Sequence, residues 1–127
     1  MALTGRKVLV VEDDESTRQA FGRLFNAAGL EFAAFDSAEA LLSSTDRGGV
    51  ACVISDLRLP AMSGLDLLAE LRARGEQSPF ILITAHDVPG LGAEALRLGA
   101  AAYLAKPFRG TRLLDLVRGL IEDDGRE

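Results

Sequence analysis

The chain has 127 residues and a formal net charge of −5, with 48% hydrophobic and 26% charged residues. This length can bury a full core, so one domain is expected over residues 1–127, with its core from about residue 6 to about residue 122. The acidic balance and the lack of a basic stripe argue against direct binding of nucleic acid. No apolar run reaches the roughly 20 residues that span a bilayer, and the N-terminus carries no secretory signal, which predicts a cytoplasmic protein without membrane contact.

Short apolar runs and helical patterns alternate along the chain. The apolar runs predict strands at Lys7–Val11, Glu31–Phe35, Ala51–Ser55, Pro79–Thr84 and Ala101–Ala105. Helical spacing predicts helices at Glu15–Ala28, Asp36 to about Asp46, Gly64–Arg74, Gly90–Leu98 and Gly110–Glu122, and the polar tail Asp123–Glu127 is expected to fray. Asp36 and Glu39 have the spacing of a capping box. Consecutive βα units predict a parallel sheet covered by helices on both faces.

The apolar positions also predict which side of each helix faces the core. The inward residues are expected to be Ala20, Phe21, Leu24, Phe25 and Ala28 in the first helix, and Leu65, Leu68, Ala69 and either Leu71 or Leu67 in the third. In the last helix they are Leu113, Leu114, Val117 and either Leu120 or Ile121. Pro89, Gly90 and Gly92 weaken the first turn of the fourth helix. The only cysteine, Cys52, lies in an apolar run and is expected to be buried, in a reducing compartment.

Polar residues follow three of the predicted strands and end a fourth, at the edge where parallel α/β sheets place their ligand sites. Glu12 and Asp13 follow the first strand, Asp56 the third, and Lys106 the fifth, while Thr84 ends the fourth. Adjacent carboxylates repel one another unless a cation shares the site, and Mg²⁺ binds carboxylates together with phosphate oxygens. Taken singly, each residue has an ordinary explanation as a helix cap, a turn former or a solvated side chain. Together they predict a Mg²⁺-dependent phosphate site.

The chemistry of such a site follows from the residue types. A carboxylate such as Asp56 can act as a nucleophile on phosphorus and form an acyl phosphate. The Thr84 hydroxyl and the Lys106 ammonium can each donate to a phosphate oxygen. Pro107 follows Lys106, and a cis bond there would direct the lysine. Asp14 is expected to serve the end of the first helix.

The pattern resembles the receiver domain of bacterial two-component response regulators over the whole chain. The residues that carry the resemblance are Glu12-Asp13 in Val-Val-Glu-Asp-Asp, Asp56 in Asp-Leu-Arg-Leu-Pro-Ala-Met-Ser-Gly, Thr84-Ala85, and Tyr103 with Lys106-Pro107-Phe108. The resemblance implies a flavodoxin-like (βα)5 doubly wound parallel sheet with strand order 2-1-3-4-5. It also implies that Asp56 is the phosphoacceptor, with catalytic help from Lys106 and Thr84.

The resemblance further implies a metal site and a switch. Asp13 and Asp56 would bind Mg²⁺ directly, Glu12 mainly through water, and Arg58 through its main-chain carbonyl. Thr84 and Tyr103 look like the family's switch pair, since a phosphate on Asp56 would attract the Thr84 hydroxyl and open space beside the Tyr103 ring.

The function that the resemblance implies is that of a phosphoacceptor signalling domain, not of a conventional enzyme. It would take a phosphoryl group from the phosphohistidine of a sensor histidine kinase or histidine phosphotransfer protein, catalysing its own phosphorylation and dephosphorylation. The surface around the fourth helix, the fifth strand and the fifth helix would then change and contact an effector domain or a second copy. Whether the domain stands alone or belongs to a longer regulator with a helix-turn-helix domain stays open, as do its kinase, signal and output.

Three other readings compete with this function. Haloacid-dehalogenase-like phosphatases need a second Asp two residues after the nucleophile, where this chain has Arg58. Flavodoxins need a phosphate loop rich in Ser, Thr and Gly after the first strand, and no such loop follows the first strand here. This chain also has no Trp to stack on a flavin. A phosphorylation-independent binding module of receiver type is the remaining alternative. Arg58 and His86 are individual to this chain, and they either shield the phosphate or lie free in solvent.

Overall fold

The computed structural model describes residues 7–44 and 49–125. In this part of the chain, strands and helices alternate strictly. The strands are β1 (Lys7–Val11), β2 (Phe32–Phe35), β3 (Val50–Asp56), β4 (Phe80–Thr84) and β5 (Ala102–Ala105). The helices are α1 (Glu15–Ala27), α2 (Ala38–Ser43), α3 (Gly64–Ala73), α4 (Leu91–Arg97) and α5 (Gly110–Gly125). Every predicted strand and helix is therefore present, with ends shifted by a few residues.

The five strands form one parallel sheet in the order β2-β1-β3-β4-β5. This confirms the predicted flavodoxin-like topology. The register aligns Val11 with Ser55, Asp56 with Ile83, and Thr84 with Ala105. The carboxyl ends of β1, β3, β4 and β5 therefore meet at one edge of the sheet. The predicted site residues lie at or just after these strand ends.

The helices cover the two faces of the sheet with separate apolar clusters. On one face, α1 and α5 pack through Phe21, Phe25, Leu113, Val117 and Ile121. On the other face, α2, α3 and α4 pack through Leu41, Leu67, Leu68, Leu71 and Ala95. Burial of β4 along its whole length follows from this two-sided cover. Cys52 is buried in the first cluster, as predicted.

Several local predictions were wrong. Ala20 and Ala69 are exposed, because the inward faces of α1 and α3 are rotated so that Gly22 and Leu67 are buried instead. Both Leu67 and Leu71 are buried, so the choice between them was unnecessary. The tail prediction was also wrong in part: α5 continues to Gly125, and the last two residues lie outside the described part of the chain.

The second helix is shorter than predicted, and its N-cap lies one residue later than the predicted cap Asp36. Its N-cap is Ser37, whose hydroxyl accepts from the Ala40 N–H at 3.0 Å, so Asp36 does not cap it. The helix ends at Ser43, and the predicted end at Asp46 falls outside the described residues. Ser and Asp are equally good N-caps, so adjacent candidates cannot be separated by residue type.

The first turn of α4 also differs from the prediction. Gly90 is the N-cap and not part of the helix, with φ at 88°, in the left-handed region where a Cβ is strained. Gly92 does lie within the helix, beside the ring of Tyr103. Gly90 therefore starts the helix, and only Gly92 weakens its interior.

One arginine ties three segments together at the amino end of the sheet. The Arg72 guanidinium donates to the carbonyls of Glu76 at 2.8 Å, Ser78 at 2.9 Å and Gly99 at 3.0 Å. These bonds connect the end of α3 to the loop before β4 and to the loop that follows α4.

Among the described residues, no helix has the length and apolar character needed to cross a membrane.

Candidate functional site

Three carboxylates from two strand ends form a cluster at the carboxyl edge of the sheet. Glu12, Asp13 and Asp56 each offer an oxygen, and these oxygens all lie within 4.8 Å of one another. The Glu12 residue is only 3% exposed, whereas Asp13 is exposed and Asp56 is partly buried. Hard carboxylate oxygens grouped in this way suit a divalent cation such as Mg²⁺.

The loop after β1 gives its acidic residues separate tasks. The Glu12 N–H donates to the Phe35 carbonyl at 3.0 Å, which extends the sheet by one step. Asp14 turns the other way and caps α1, its Oδ2 accepting from the Thr17 N–H at 2.8 Å. Hydrogen bonds from Thr17 and Ser16 lower the pKa of Asp14. The expectation that Asp14 serves the helix end is confirmed.

Asp56 is the last residue of β3, and its backbone is covered by α3. A Cβ on Gly64 would come within 2.4 Å of the Asp56 carbonyl oxygen, so only glycine fits at the start of α3. The Leu57 N–H donates to Asp56 Oδ1 at 3.1 Å. Burial raises the pKa of Asp56, and the nearby Asp13 charge raises it further. Lys106, the Leu57 N–H and His86 oppose these effects.

Lys106 brings a cation to the acidic cluster from the end of β5. Its Nζ lies 3.5 Å from Glu12 Oε1 and 3.9 Å from Asp56 Oδ1, and its side chain is 28% exposed. The Lys106–Pro107 peptide bond is cis. Burial raises the pKa of Glu12, the Asp56 charge adds to this, and Lys106 acts in the opposite sense. Burial and mutual repulsion therefore disfavour the charged forms of Glu12 and Asp56. A nearby cation such as Lys106 stabilises these charged forms.

Thr84 and Tyr103 lie on the same side of the sheet, on the neighbouring strands β4 and β5. Tyr103 pairs with Leu82, and Thr84 lies two residues further along β4, so the three side chains point to one face. Thr84 is buried, and its Oγ1 accepts from the His86 N–H at 3.0 Å. The hydroxyl hydrogen of Thr84 remains available for donation.

Two other residues that the sequence singled out lie in the loops that follow β3 and β4. Arg58 is exposed in the loop between β3 and α3, and His86 is exposed in the loop after β4. The His86 charge contributes to lowering the pKa of Asp56, so this residue acts on the site electrostatically. Asp87 was not among the predicted site residues, and it accepts a hydrogen bond from the Tyr103 hydroxyl at 2.7 Å. No spacing or motif signals that contact, because it depends on the path of a loop.

Comparison with known proteins gives a consistent result. Residues 8–118 match the model of the response regulator receiver domain family. Nodulation protein W of Bradyrhizobium diazoefficiens is 44% identical over 124 residues, covering 97% of this chain. The chain spans 54% of that relative's length.

Solved structures show the same architecture. Full-length FixJ from B. japonicum superposes with a TM-score of 0.85 and 33% identity, over 94% of this chain and 59% of FixJ. The receiver domain of the sensor histidine kinase PA1611 from Pseudomonas aeruginosa PAO1, described with a magnesium ion coordinated in its active site cleft, has a TM-score of 0.81 and 26% identity. That match covers 94% of this chain and 99% of the PA1611 domain.

Fold, acidic cluster and family match agree, and the chain belongs to the response regulator receiver domain family. It is a phosphoacceptor signalling domain of a two-component system. The cluster of Glu12, Asp13 and Asp56 fits the Mg²⁺ site of such a domain.

Proposed function

We propose that Asp56 is the phosphoacceptor of this domain. The observation that carries the proposal is the position of its carboxylate, which lies 3.9 Å from Lys106 Nζ and remains 13% exposed at the sheet edge. The Glu12 side chain is only 4% exposed, and its Oε1 lies 3.5 Å from Lys106 Nζ. A phosphoryl donor therefore has less access to Glu12 than to Asp56. Asp13 is exposed, and within the described part of the chain the ion pairs of Lys106 are with Glu12 and Asp56 and not with Asp13. Of the three carboxylates in the described cluster, Asp56 is the one that combines access with a neighbouring cation.

The donor that we propose is a phosphohistidine on a sensor histidine kinase or a histidine phosphotransfer protein. An Asp56 oxygen forms a bond to phosphorus while the bond from phosphorus to the imidazole nitrogen breaks, and the electron pair of that bond stays on the nitrogen, which takes a proton from water. Lys106 and the Thr84 hydroxyl donate to the transferred oxygens. Water later cleaves the acyl phosphate and returns Asp56 to a carboxylate, so the domain catalyses both its phosphorylation and its dephosphorylation.

The residues that would hold Mg²⁺ are Asp13 and Asp56 directly, Glu12 mainly through water, and the carbonyl of Arg58. The oxygen-rich donor set and the magnesium described for the PA1611 receiver support this assignment. When bound, the ion neutralises charge on the transferred phosphate oxygens. Lys106 forms ion pairs with both Glu12 and Asp56 and so contributes a second positive charge to the same site.

The proposed output is a change of surface. Thr84 moves toward a phosphate on Asp56 and vacates space on the face that it shares with Tyr103. We therefore expect the segment Asp87–Leu98, Tyr103 and the adjoining face of α5 to respond. An effector domain or a second copy of the chain would bind there. The exposed side chains of Val88 and Leu96, at 53% and 55%, lie within this segment and support that choice.

The test is labelling with a small phosphodonor. Wild type, Asp56→Asn and the matched control Asp115→Asn, an exposed site on α5, are incubated with acetyl phosphate and Mg²⁺ and weighed by mass spectrometry. Wild type and Asp115→Asn should gain one phosphoryl group and Asp56→Asn none. Omitting Mg²⁺ should prevent labelling of wild type and of Asp115→Asn. Undiminished labelling of Asp56→Asn would falsify the acceptor assignment.

A second experiment addresses the output surface. Hydrogen exchange is measured with and without beryllofluoride, a phosphate mimic, in wild type and in Thr84→Ala. Protection of Asp87–Leu98 should change in wild type and be largely unaltered in Thr84→Ala. A change confined to the acidic cluster in wild type would contradict the proposed surface.

A further inference from the structure

An arginine on α1 is bonded to the backbone that carries the acidic pair. Arg18 is half-buried, and its Nη1 donates to the Glu12 carbonyl oxygen at 2.9 Å. Side chains of an α-helix lean toward its N-terminus, which lets Arg18 reach back past the cap to the loop before the helix. The Arg18 backbone N–H donates to the Asp14 carbonyl at 2.9 Å. The backbone of Arg18 is therefore held by a hydrogen bond of the first turn of α1.

The bond restrains the peptide unit that links the two acidic residues. The carbonyl of Glu12 and the N–H of Asp13 belong to one planar group, so holding the oxygen orients the bond that leads to the Asp13 Cα. The Glu12 N–H is held by the Phe35 carbonyl at 3.0 Å, and Glu12 Oε2 accepts from the Asp14 N–H at 3.2 Å. Arg18 holds the Glu12 carbonyl, the backbone group that immediately precedes the exposed residue Asp13.

The contact is with the backbone and not with the carboxylates. The causes that shift the pKa of Glu12 are burial, Asp56, the Asp14 N–H and Lys106, and Arg18 is not among them. Arg18 therefore does not act as a charge partner of the buried carboxylate in the way that Lys106 does. A guanidinium with several donors in a rigid fork is well suited to holding a carbonyl in one orientation.

We propose that Arg18 is a positioning residue for the metal-binding carboxylates, acting through the Glu12–Asp13 peptide. This inference rests on the proposed function, because it concerns the same Mg²⁺ site. Groups that orient metal ligands from outside the coordination sphere are commonly worth about 10-fold or more in metal affinity. Loss of the Arg18 bond should therefore weaken Mg²⁺ binding without removing a ligand.

The experiment compares Arg18→Met with Arg23→Met in the full chain. Methionine keeps an apolar stem without a donor, and Arg23 is an exposed arginine on the same helix, so both variants lose one positive charge. Since the chain has no Trp, Mg²⁺ binding is followed by the amide shifts of Asp13 and Asp14. Arg18→Met should raise the Mg²⁺ dissociation constant about 10-fold, and Arg23→Met should leave it near the wild-type value.

Two additional measurements separate positioning from general stability. Arg18→Lys, which retains one donor on a long stem, should restore part of the lost affinity. Denaturant unfolding without Mg²⁺ reports any structural role separately. Equal dissociation constants for folded Arg18→Met and Arg23→Met would overturn the inference, even if Arg18→Met were less stable. Should Arg18→Met fail to fold, Arg18→Leu, which also has no donor, takes its place with Arg23→Leu as its control and with the same two outcomes.

The wild-type titration keeps this inference distinct from the proposed function. If wild type binds no Mg²⁺ and is not labelled by acetyl phosphate, the proposed function fails and the inference fails with it. If wild type binds Mg²⁺ and is labelled, but Arg18→Met does so equally well, only the inference about Arg18 fails.

Discussion

The hydroxyl of Tyr103 on β5 donates a 2.7 Å hydrogen bond to Oδ1 of Asp87, in the loop that leads from β4 to α4. The bond links the ring to the segment that we expect to move on phosphorylation. Partial burial of the ring, the hydrogen bond and the Asp87 charge together raise the pKa of Tyr103 to about 12. The neutral phenol is therefore favoured while this contact is in place.

Asp87→Ala should lower the pKa of Tyr103 toward the ordinary value of about 10, because the acceptor and its charge are removed. Tyr103 is the only tyrosine in the chain, so ultraviolet absorbance of the tyrosinate reports it directly. Asp87→Asn keeps an acceptor without the charge and should fall between the two. In wild type, the stability gained from the raised pKa is complete below about pH 10 and is lost as the pH rises through about 12. Identical titration curves for wild type and Asp87→Ala would contradict the contact.

Asp56→Asn should stabilise the metal-free domain at neutral pH, by about 1 kcal/mol. The pKa of Asp56 is raised by burial and by Asp13, so the folded state binds its proton more tightly than the unfolded state does. The stability linked to that proton is complete below about pH 4 and is lost as the pH rises through the folded pKa. The advantage of the variant should therefore disappear in acid. Urea unfolding at several pH values checks this, with Asp115→Asn as the control, and an advantage that persisted in acid would point to another cause.

Lys106→Met should leave the fold intact and cost at most about 1 kcal/mol of stability, because the lysine is partly exposed and its ion pairs are long. It should raise the pKa of both Glu12 and Asp56, which Lys106 now lowers. We also expect beryllofluoride to lose its effect on hydrogen exchange in Asp87–Leu98. Lys106→Arg, which keeps the charge, is the comparison. A loss of several kcal/mol on unfolding Lys106→Met would show that the lysine is structural.

Two glycines near α4 should respond oppositely to alanine. Gly90→Ala should destabilise the domain by about 1 kcal/mol, because its φ of 88° strains a side chain. Gly92→Ala gains roughly 1 kcal/mol of helix propensity, partly offset where the new Cβ comes within 3.1 Å of the Tyr103 ring. The ring is half-exposed and can shift slightly, so a net gain is expected. Thermal unfolding of both variants tests the pair, and equal melting temperatures would refute the distinction.

Much of the architecture and of the site could be predicted from the sequence. The buried strands are uninterrupted apolar runs, and a parallel sheet brings their carboxyl ends together, so Glu12, Asp13, Asp56 and Lys106 meet as expected. Helix faces were harder to predict, since alanine is compatible with either side, and Ala20 and Ala69 proved to be exposed.

The contacts that the sequence did not reveal depend on loop paths and side-chain reach. The Tyr103–Asp87 bond joins residues from different elements through a loop whose course no local pattern specifies. Arg18 lies on a helix where an arginine normally indicates a solvated face, yet it reaches the Glu12 carbonyl. Neither residue type nor spacing distinguishes such a contact from an exposed charge.

The hydrogen bonds of Arg72 at the amino end of the sheet hold the C-terminal end of α4 by a side chain, and its N-terminal end has no such side-chain bond. The carbonyl of Gly99, just past the helix, is tethered to α3, whereas Gly90 at the opposite end has no side-chain cap bond. We therefore expect α4 to pivot as a lever about Gly99 and not to slide as a whole. The helix is roughly 10 Å long, so a rotation of about 10° would carry its first turn about 2 Å while its last turn stays nearly still. The displacement of α4 that follows a small adjustment beside Thr84 would thus be largest where the helix contacts Tyr103 and smallest at the Arg72–Gly99 hydrogen bond.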